Sequence, residues 1–449
     1  MDRTVTISDL QAFIEQCDPQ RPLEPGDPLY VPLDEGQPVR GSDGRSCIDE
    51  LARSVLLRGP MTATCQLFTG FFGTGKTTEL RRLAARLTDD KLTPTHVVLI
   101  DFEDYLDIFT PISITDVLRV LAYALDREAT VAEGGDPKQP PGYVRRLYDF
   151  LTRTGVELKE IGFEQYGASF MLEFRNNPTF HEKMEAALAR GFQAFAGEAR
   201  DVISEAIVRL RRATHAARIV VIGDGLEKLQ PLRAEDRPRV EESVESVFVQ
   251  NASWLRLPSC HAIYTFPLWL RFRAAPFGTL YDRDPQVLPM VKIADPAGHE
   301  YAPGVEKLTD IIRRRLYLRA VFGDAPQRTL TPLIAASGGY PRDLLRLVRE
   351  LLYTANAFPV TPKDVELVIR RIAEAYALVV RDPDLDMLVE VARTHAVPRG
   401  DAARVARFGQ LLAQWLVLAY RNGDEWYDLH PLVRRAPVVK QRLEEPPAP

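Results

Sequence analysis

Short apolar runs alternate with helical patterns along the first two thirds of the chain. Strands are predicted at residues 64–69, 97–102, 218–222 and 262–266. Helices are predicted at residues 46–57, 76–87, 116–129, 143–154 and 179–215, where apolar positions recur at three- and four-residue steps. Because the strands alternate with helices and are joined by long crossovers, they favour a parallel α/β sheet. An α/β domain is therefore expected over residues 46–300, after an irregular Pro- and Gly-rich lead-in over residues 1–45.

The pattern changes after Lys292. Residues 305–381 look wholly helical, and Leu344, Leu347, Val348 and Leu351 fall on one helical face. A hairpin is predicted further on, with strands at 415–420 and 425–429 around the turn 421–424, because Asn and Gly tolerate positive φ. We therefore expect three further regions, which are a helical lid domain at 301–381, a terminal domain at 382–440 and a disordered tail at 441–449.

Composition narrows the class of protein. A chain of 449 residues suggests about three domains. Its 57 Lys and Arg against 62 Asp and Glu give a net charge of −5, which does not favour nucleic acid as the main partner. Neither a signal peptide nor a membrane span is recognisable, and the four cysteines are scattered. We expect a cytoplasmic protein whose thiols are small buried apolar groups.

A phosphate-binding loop is the clearest chemical signal. Residues 70–77 read GFFGTGKT, which fits G-x-x-x-x-G-K-[ST] between a predicted strand and a predicted helix. The glycines let backbone N–H groups turn towards phosphate oxygens, Lys76 reaches the β- and γ-phosphates, and Thr77 offers its hydroxyl to Mg²⁺. The predicted nucleotide contacts of this segment are Gly70, Phe71, Phe72, Gly73, Thr74, Gly75, Lys76, Thr77 and Thr78.

Carboxylates at strand ends are the second signal. Asp224 ends the strand IVVIGD and is the preferred magnesium ligand, together with Thr77. Glu227 follows in DGLEKL and is the candidate that polarises the attacking water. Asp101, in the acidic run DFEDYLD, remains the alternative magnesium ligand. Thr265, at the end of the next strand, is the candidate γ-phosphate contact, although a role in strand packing explains it equally well.

These segments together resemble the additional-strand P-loop ATPases of the AAA+ and STAND (signal-transduction ATPase) lineages. The resemblance runs from about Tyr30 to Arg435 and rests on FTGFFGTGKTTEL, IVVIGDGLEKL, YTFP and GGYPR. It implies that Pro341 and Arg342 belong to a lid segment near the nucleotide, with Arg342 directed to the γ-phosphate. It also implies that the lead-in lines the adenine pocket, with Tyr30 and Val31 as base contacts.

The terminal domain resembles a winged helix, with helices followed by a hairpin wing. YDLHP, residues 427–431, is similar to the Met-His-Asp motif of NOD-like receptors, whose histidine contacts the β-phosphate of ADP. His430 occupies the matching place, while Pro431 stands where that motif has Asp. A histidine suits this role because it can donate a hydrogen bond to phosphate.

The resulting hypothesis is an ATP-hydrolysing conformational switch that uses ATP, ADP and Mg²⁺. In STAND relatives an effector and a sensor accompany the ATPase, so we expect a separate effector or sensor protein and a nucleotide-dependent homo-oligomer. A role of this kind in bacterial antiviral defence signalling is one expectation. The alternatives are an AAA+ ATPase that binds DNA through its winged helix, favoured weakly by the basic residues 434–442, and a module that holds ATP without turnover.

Overall fold

The structure is a computed structural model that describes residues 4–37, 39–41, 46–136, 142–153, 176–231, 233–273 and 276–446. The chain forms two compact units. The sheet unit consists of residues 51–69 and 80–286, and the lid unit consists of residues 1–50, 70–79 and 287–449.

A five-stranded sheet confirms the predicted α/β fold class. Its strands are β1 (Thr64–Gly70), β2 (Thr95–Asp101), β3 (Arg218–Asp224), β4 (His261–Thr265) and β5 (Gln286–Leu288). Their order is β2-β3-β4-β1-β5, and the β2–β3, β3–β4 and β4–β1 pairs are parallel. Because β4 lies between β3 and β1, the sheet has the additional-strand order that the sequence predicts.

Burial explains why three of these strands were easy to recognise. Every residue of β1, β3 and β4 is buried, as expected for central strands covered on both faces. The edge strand β2 instead exposes Leu99 and Asp101. The three-residue strand β5 was not predicted, because so short a segment shows no periodicity.

Helices account for most of the remaining chain. The α-helices are α1 (Ile7–Gln16), α2 (Cys47–Leu56), α3 (Lys76–Thr88), α4 (Ile114–Ala132), α5 (Gly142–Arg153), α6 (Pro178–Arg190), α7 (Phe192–Thr214), α8 (Arg237–Glu245), α9 (Ala252–Leu255), α10 (Ala302–Arg313), α11 (Leu318–Phe322), α12 (Gln327–Ser337), α13 (Pro341–Thr354), α14 (Pro362–Ala377), α15 (Leu385–Thr394), α16 (Ala402–Ala413), α17 (Pro431–Arg434) and α18 (Pro437–Glu444). The predicted helix 143–154 corresponds to α5, although its last residue lies outside the described residues.

Two helix predictions need correction. The lead-in is not irregular throughout, because Thr6 and Asp9 form a reciprocal capping box that starts α1. The helix expected over 179–215 is two helices, α6 and α7, separated at Gly191. Glycine has low helix propensity, so a break at this position is physically reasonable.

The lid unit contains the helices that the sequence places after residue 300. Leu344, Leu347, Val348 and Leu351 of α13 are completely buried, which confirms the predicted apolar face. The expected hairpin is present as β6 (Val417–Asn422) and β7 (Asp424–Leu429), paired antiparallel around Gly423. Its first strand begins at Val417 and not at Trp415, because Trp415 adopts a positive φ of 57°.

The cysteines and the apolar character of the helices bear on two further points. All four cysteines are free thiols in buried positions, as predicted. Among the described residues, no helix combines the length and apolar character needed to cross a bilayer.

Candidate nucleotide-binding site

The P-loop, residues 70–77, connects β1 to α3. Gly70 is the last residue of β1, and Lys76 is the first residue of α3. Gly73 and Gly75 have φ values of 88° and 92°, in the left-handed region that glycine adopts without strain. A Cβ atom on Gly73 would lie 2.4 Å from Cδ of Arg342, whereas one on Gly75 would have no heavy atom within 4 Å. Gly73 is therefore a close-contact position, and Gly75 faces open space.

Lys76 is folded into the loop that carries it. Its buried Nζ donates hydrogen bonds to the carbonyl oxygens of Gly70, at 3.2 Å, and Phe71, at 2.9 Å. The hydroxyl of Thr74 donates to the same Phe71 carbonyl at 2.9 Å. These bonds hold the ammonium group and the loop backbone together.

The two threonines after Lys76 lie in the first turn of α3. Thr77 is half-buried at this helix N-terminus. The hydroxyl of Thr78 accepts a hydrogen bond from the backbone N–H of Leu23 at 3.0 Å. Thr78 therefore attaches the lead-in to α3, a contact that the motif alone does not predict.

The segment GGYPR, residues 338–342, brings Arg342 against the P-loop. The guanidinium carbon of Arg342 lies 4.4 Å from the ring centre of Phe72, close enough for a cation–π interaction. The hydroxyl of Tyr340 donates a hydrogen bond to the Phe72 carbonyl. Burial raises the pKa of this hydroxyl, so it remains a donor at neutral pH.

Local backbone geometry explains why this segment needs its glycines and its proline. Gly338 and Gly339 have φ values of 63° and 77°, and a Cβ atom on Gly339 would lie 1.8 Å from the carbonyl oxygen of Val291. Pro341 is the first residue of α13, where a missing N–H costs nothing. The sequence therefore places both Tyr340 and Arg342 at a fixed point next to the helix start.

His430 is completely buried within the lid unit. Its Nδ1 accepts a hydrogen bond from the Leu432 N–H at 3.1 Å, so Nε2 carries the proton and lies 3.2 Å from Oδ2 of Asp343. The same oxygen accepts a hydrogen bond from Tyr376 at 2.6 Å, and the ring of Tyr376 stacks on His430. Nε2 lies within ion-pair distance of Asp343 but makes no hydrogen bond among the described residues, and the phosphate contact implied by the resemblance stays a prediction.

Charge balance in this cluster favours the ionised carboxylate. Burial alone would raise the pKa of Asp343, but the neighbouring His430 and the hydrogen bond from Tyr376 outweigh that effect and lower it. The cluster therefore joins α13, α14 and α17 through a charged acceptor directly beside Arg342 in the sequence.

A second buried ionic cluster attaches the lead-in to α3. Arg40 donates to Oε1 of Glu79 at 2.7 Å and to Oδ2 of Asp34 at 2.9 Å. The Tyr30 hydroxyl donates to the same Glu79 oxygen at 3.3 Å, while Val31 is buried beside it in the chain. Burial alone would lower the pKa of Arg40. The two carboxylates outweigh this effect, so the pKa lies above its usual value. Sequence reasoning missed Arg40, because a single arginine in an irregular segment carries no periodic or motif signal.

Three carboxylates converge at the ends of two neighbouring strands in the sheet unit. Asp101 and Asp224 are paired in register as the last residues of β2 and β3. Oδ1 of Asp224 and Oε2 of Glu227 lie 2.9 Å and 3.2 Å from the N–H of Gly225. A Cβ atom on Gly225, whose φ is 93°, would lie 2.9 Å from Oδ1 of Asp101.

The environment of Asp101 differs from that of an ordinary exposed carboxylate. Burial raises the pKa of Asp101, and the hydrogen bond from the Glu103 N–H and the charge of Lys228 only partly offset this. Lys228 itself pairs with Glu103 at 2.7 Å. The three carboxylates therefore lie near one another and beside the Lys228–Glu103 ion pair.

Thr265 is the last residue of β4 and is completely buried. Within the described part of the chain, its hydroxyl has no hydrogen-bond partner. Buried hydroxyls are normally satisfied, so this orphan group is unusual. Two arginines that flank this strand in the sequence form ion pairs within the sheet unit. Arg256 pairs with Asp282, and Arg273 pairs with Glu241 and Glu245.

Comparisons with known proteins give only distant likenesses. No family model matches the sequence, and no curated protein is similar enough in sequence to count as a match. Among solved structures, the ORC2 protein of Aeropyrum pernix in its ADP form has a TM-score of 0.40 at 13% identity, covering 97% of this chain and 98% of that one. Cdc6p of Pyrobaculum aerophilum has a TM-score of 0.39 at 12% identity, covering 96% and 97%. A Walker-type ATPase of Pyrococcus abyssi has a TM-score of 0.38 at 15% identity, covering 88% and 95%.

Proposed function

We propose that this chain binds ATP and ADP at the P-loop and hydrolyses ATP with the help of Mg²⁺. The observation that carries this proposal is the geometry of residues 70–77. This loop follows a central strand and ends at the buried Lys76, which is the first residue of α3. The distant structural likenesses are not needed for it. The proposal rests on residues of this chain.

The loop fits the phosphates of a nucleotide. Gly75 faces open space, so its backbone can approach an anion closely. The N-terminus of α3 presents N–H groups and the positive end of the helix dipole to the same region. Lys76 adds a positive charge, and its hydrogen bonds to Gly70 and Phe71 fix the position of the ammonium group.

The candidate metal ligands also fit Mg²⁺. The oxygen donors that it prefers are the hydroxyl of Thr77 and the carboxylate of Asp224. Because β3 and β4 are parallel, their last residues, Asp224 and Thr265, belong to the same edge of the sheet. When bound, Mg²⁺ would neutralise charge that develops on the phosphate oxygens.

Residues of the chain supply the remaining steps. Glu227 would accept a hydrogen bond from the attacking water and orient it towards the γ-phosphoryl group. Thr265 has an unsatisfied hydroxyl that a phosphate oxygen would satisfy. Lys76 and Arg342 would stabilise the negative charge of the transferred group.

The proposed output is a conformational switch. Tyr340 and Arg342 contact the P-loop from the helical lid, so a γ-phosphate at this loop would change the contacts that α13 makes. A difference of a few kcal/mol between ATP and ADP is enough to shift such an equilibrium strongly. In this proposal a separate effector or sensor protein, in a STAND-type signalling or defence system, recognises the two states.

The test is phosphate release from ATP by the full chain and by Glu227→Gln. We expect the variant to lose about 100-fold or more in rate while it still binds ATP, because only the water-orienting group is removed. Glu235→Gln is the matched control, since Glu235 is exposed in the same segment. Equal and negligible rates in all three proteins would contradict hydrolysis and leave a nucleotide-holding module.

DNA binding through the winged helix remains the alternative, but ion pairs weaken its best argument. Arg434 pairs with Asp428, Arg435 with Glu366, and Arg442 with Asp386 and Glu445. The basic segment 434–442 is therefore largely neutralised by the lid unit itself. DNA affinity that falls steeply with salt would reverse this preference, because it reports phosphate contacts.

A further inference from the structure

A cavity of about 510 Å³ lies entirely within the lid unit. Its walls come from the segment 293–300, from α12 and from the hairpin β6–β7, with apolar surface from Ile334 and Leu429. This volume is in the range of sites that hold small organic ligands. Nothing in the proposed ATPase chemistry uses it.

One wall of the cavity is aromatic and carries an unsatisfied donor. The rings of Tyr420 and Trp426 stack with centres 4.4 Å apart, and His395 packs edge-on against Trp426. Trp426 is only 9% exposed, and its indole Nε1 has no hydrogen-bond partner among the described residues. A buried indole N–H without an acceptor is costly, so this wall favours a ligand with an acceptor oxygen.

The charges that line the cavity are mostly negative. Asp428 is neutralised by Arg434, and Asp295 interacts with His299 at 3.0 Å. Within the described ranges the carboxylate of the exposed residue Glu300 has neither an ion pair nor a hydrogen bond, which leaves one uncompensated negative charge at the cavity. Aromatic faces and a carboxylate together attract cations.

The cavity is connected to the P-loop by a short covalent path. The hydroxyl of Tyr420 donates to the carbonyl of Gly338 at 2.6 Å, and both residues line the cavity. Gly338 is tightly enclosed, since a Cβ atom there would lie 2.7 Å from Leu418 and Pro431. Tyr340, two residues further on, is the side chain that donates to the Phe72 carbonyl.

We propose that this cavity binds a small organic cation with an aromatic or apolar body and a hydrogen-bond acceptor. We further propose that its occupant changes nucleotide affinity through residues 338–342, a part that rests on the proposed function. The ammonium group would pair with Glu300, and the acceptor would receive the N–H of Trp426.

The test is calorimetric titration of the nucleotide-free full chain with tyramine, a cationic phenol, and with 4-hydroxyphenylacetate, its anionic match. We expect tyramine to bind about tenfold or more tightly than the anion. Glu300→Gln should weaken tyramine binding about two- to fivefold, the range for an exposed charge pair. Glu306→Gln, which removes an exposed carboxylate outside the cavity, should leave it unchanged.

Trp426→Phe should weaken tyramine binding by a further few-fold, since it keeps a ring but loses the donor. Failure of both compounds to bind, equal affinities for them, or indifference to Glu300→Gln would overturn the site. The coupling is tested by titrating ADP with and without saturating tyramine, where an unchanged ADP affinity would refute it. If ADP does not bind at all, the proposed function fails, while the tyramine titration still decides the cavity.

Discussion

Two groups of charged residues, one in the lid unit and one in the sheet unit, are arranged differently. In the lid unit, around the P-loop, Arg40 has two carboxylate partners and Asp343 has His430. In the sheet unit, Asp101, Asp224 and Glu227 instead converge on one glycine. Carboxylates that lie close together raise one another's pKa, whereas a carboxylate beside a positively charged or hydrogen-bond-donating group has its pKa lowered. Burial accordingly raises the pKa of Asp101, whereas His430 and Tyr376 lower the pKa of Asp343, so we expect substitutions in the two clusters to have different effects.

The largest effect expected from this difference is on turnover. Asp224→Asn should lower the rate of ATP hydrolysis about 100-fold or more at saturating Mg²⁺, because the ligand loses its charge. ADP affinity measured in EDTA should stay within about twofold, since the P-loop contacts remain. Phosphate release and calorimetry on the same preparations give both quantities.

Asp101→Asn is the matched control, because Asp101 is paired in register with Asp224 at the end of the neighbouring strand. It should keep turnover within about threefold of the unmodified chain. If Asp101→Asn abolished hydrolysis and Asp224→Asn did not, the magnesium ligand would be Asp101 and not Asp224.

A second carboxylate group in the sheet unit predicts a pH dependence of stability. His181 Nε2 lies 3.0 Å from Asp116 Oδ1, and Glu185 accepts the Thr115 hydroxyl at 2.8 Å. Burial and the charge of Asp116 raise the pKa of Glu185 from 4.5 to about 7, and the Asp116 carboxylate outweighs burial to raise the pKa of His181. The folded chain binds both protons more tightly than the unfolded chain does, so protonation of these groups favours the folded state. This contribution to the free energy of unfolding is lost as the pH rises.

The corresponding variant is Glu185→Gln. In the unmodified chain the free energy of unfolding should fall between pH 5 and pH 8, and the substitution should remove about 2 kcal/mol of that fall. Urea unfolding at the two pH values measures it, with the exposed neighbour in Glu182→Gln as the control. A fall of the same size in Glu185→Gln would show that Glu185 does not hold a raised pKa.

The smallest effect is expected in the lid unit, from the loss of a single hydrogen bond. Tyr340→Phe removes the hydrogen bond to the Phe72 carbonyl and should weaken ADP binding about two- to fivefold, the loss for one neutral hydrogen bond. Tyr353→Phe, in the same helix but 62% exposed, should have no effect. If the two variants behaved alike, the lid contact would not contribute to the binding site.

Local signals account for what the sequence could predict. The P-loop motif and the buried central strands are contiguous segments, so the strands, the loop and α3 could be predicted from them, while the additional-strand type of the sheet came from the family resemblance. The capping box of α1 is also a local signal, since Thr6 and Asp9 are only three residues apart, and it lies before the Pro- and Gly-rich stretch of the lead-in. The contacts of Arg40 with Glu79 and of His181 with Asp116 join residues 39 and 65 positions apart, and no local pattern encodes such pairs.

His430 is another residue whose contacts could not be predicted from the local sequence. Its place after the hairpin predicts a phosphate ligand, while the structure places Nδ1 against the Leu432 N–H and Nε2 3.2 Å from Asp343, so the phosphate contact stays a prediction. Which partner a buried histidine has depends on side chains from distant segments, here on α13 and α14. A motif gives the residue type, and packing decides its contacts.

The central claim is that the loop around Lys76 binds the phosphates of a nucleotide. The most direct measurement is calorimetric titration of the full chain and of Lys76→Ala with ATP and with ADP in the presence of Mg²⁺, with Lys91→Ala as an exposed-lysine control. We predict binding of both nucleotides by the unmodified chain and by Lys91→Ala, and a loss of roughly 100-fold in affinity for Lys76→Ala. Absence of binding by the unmodified chain, or equal affinity in Lys76→Ala, would contradict the claim.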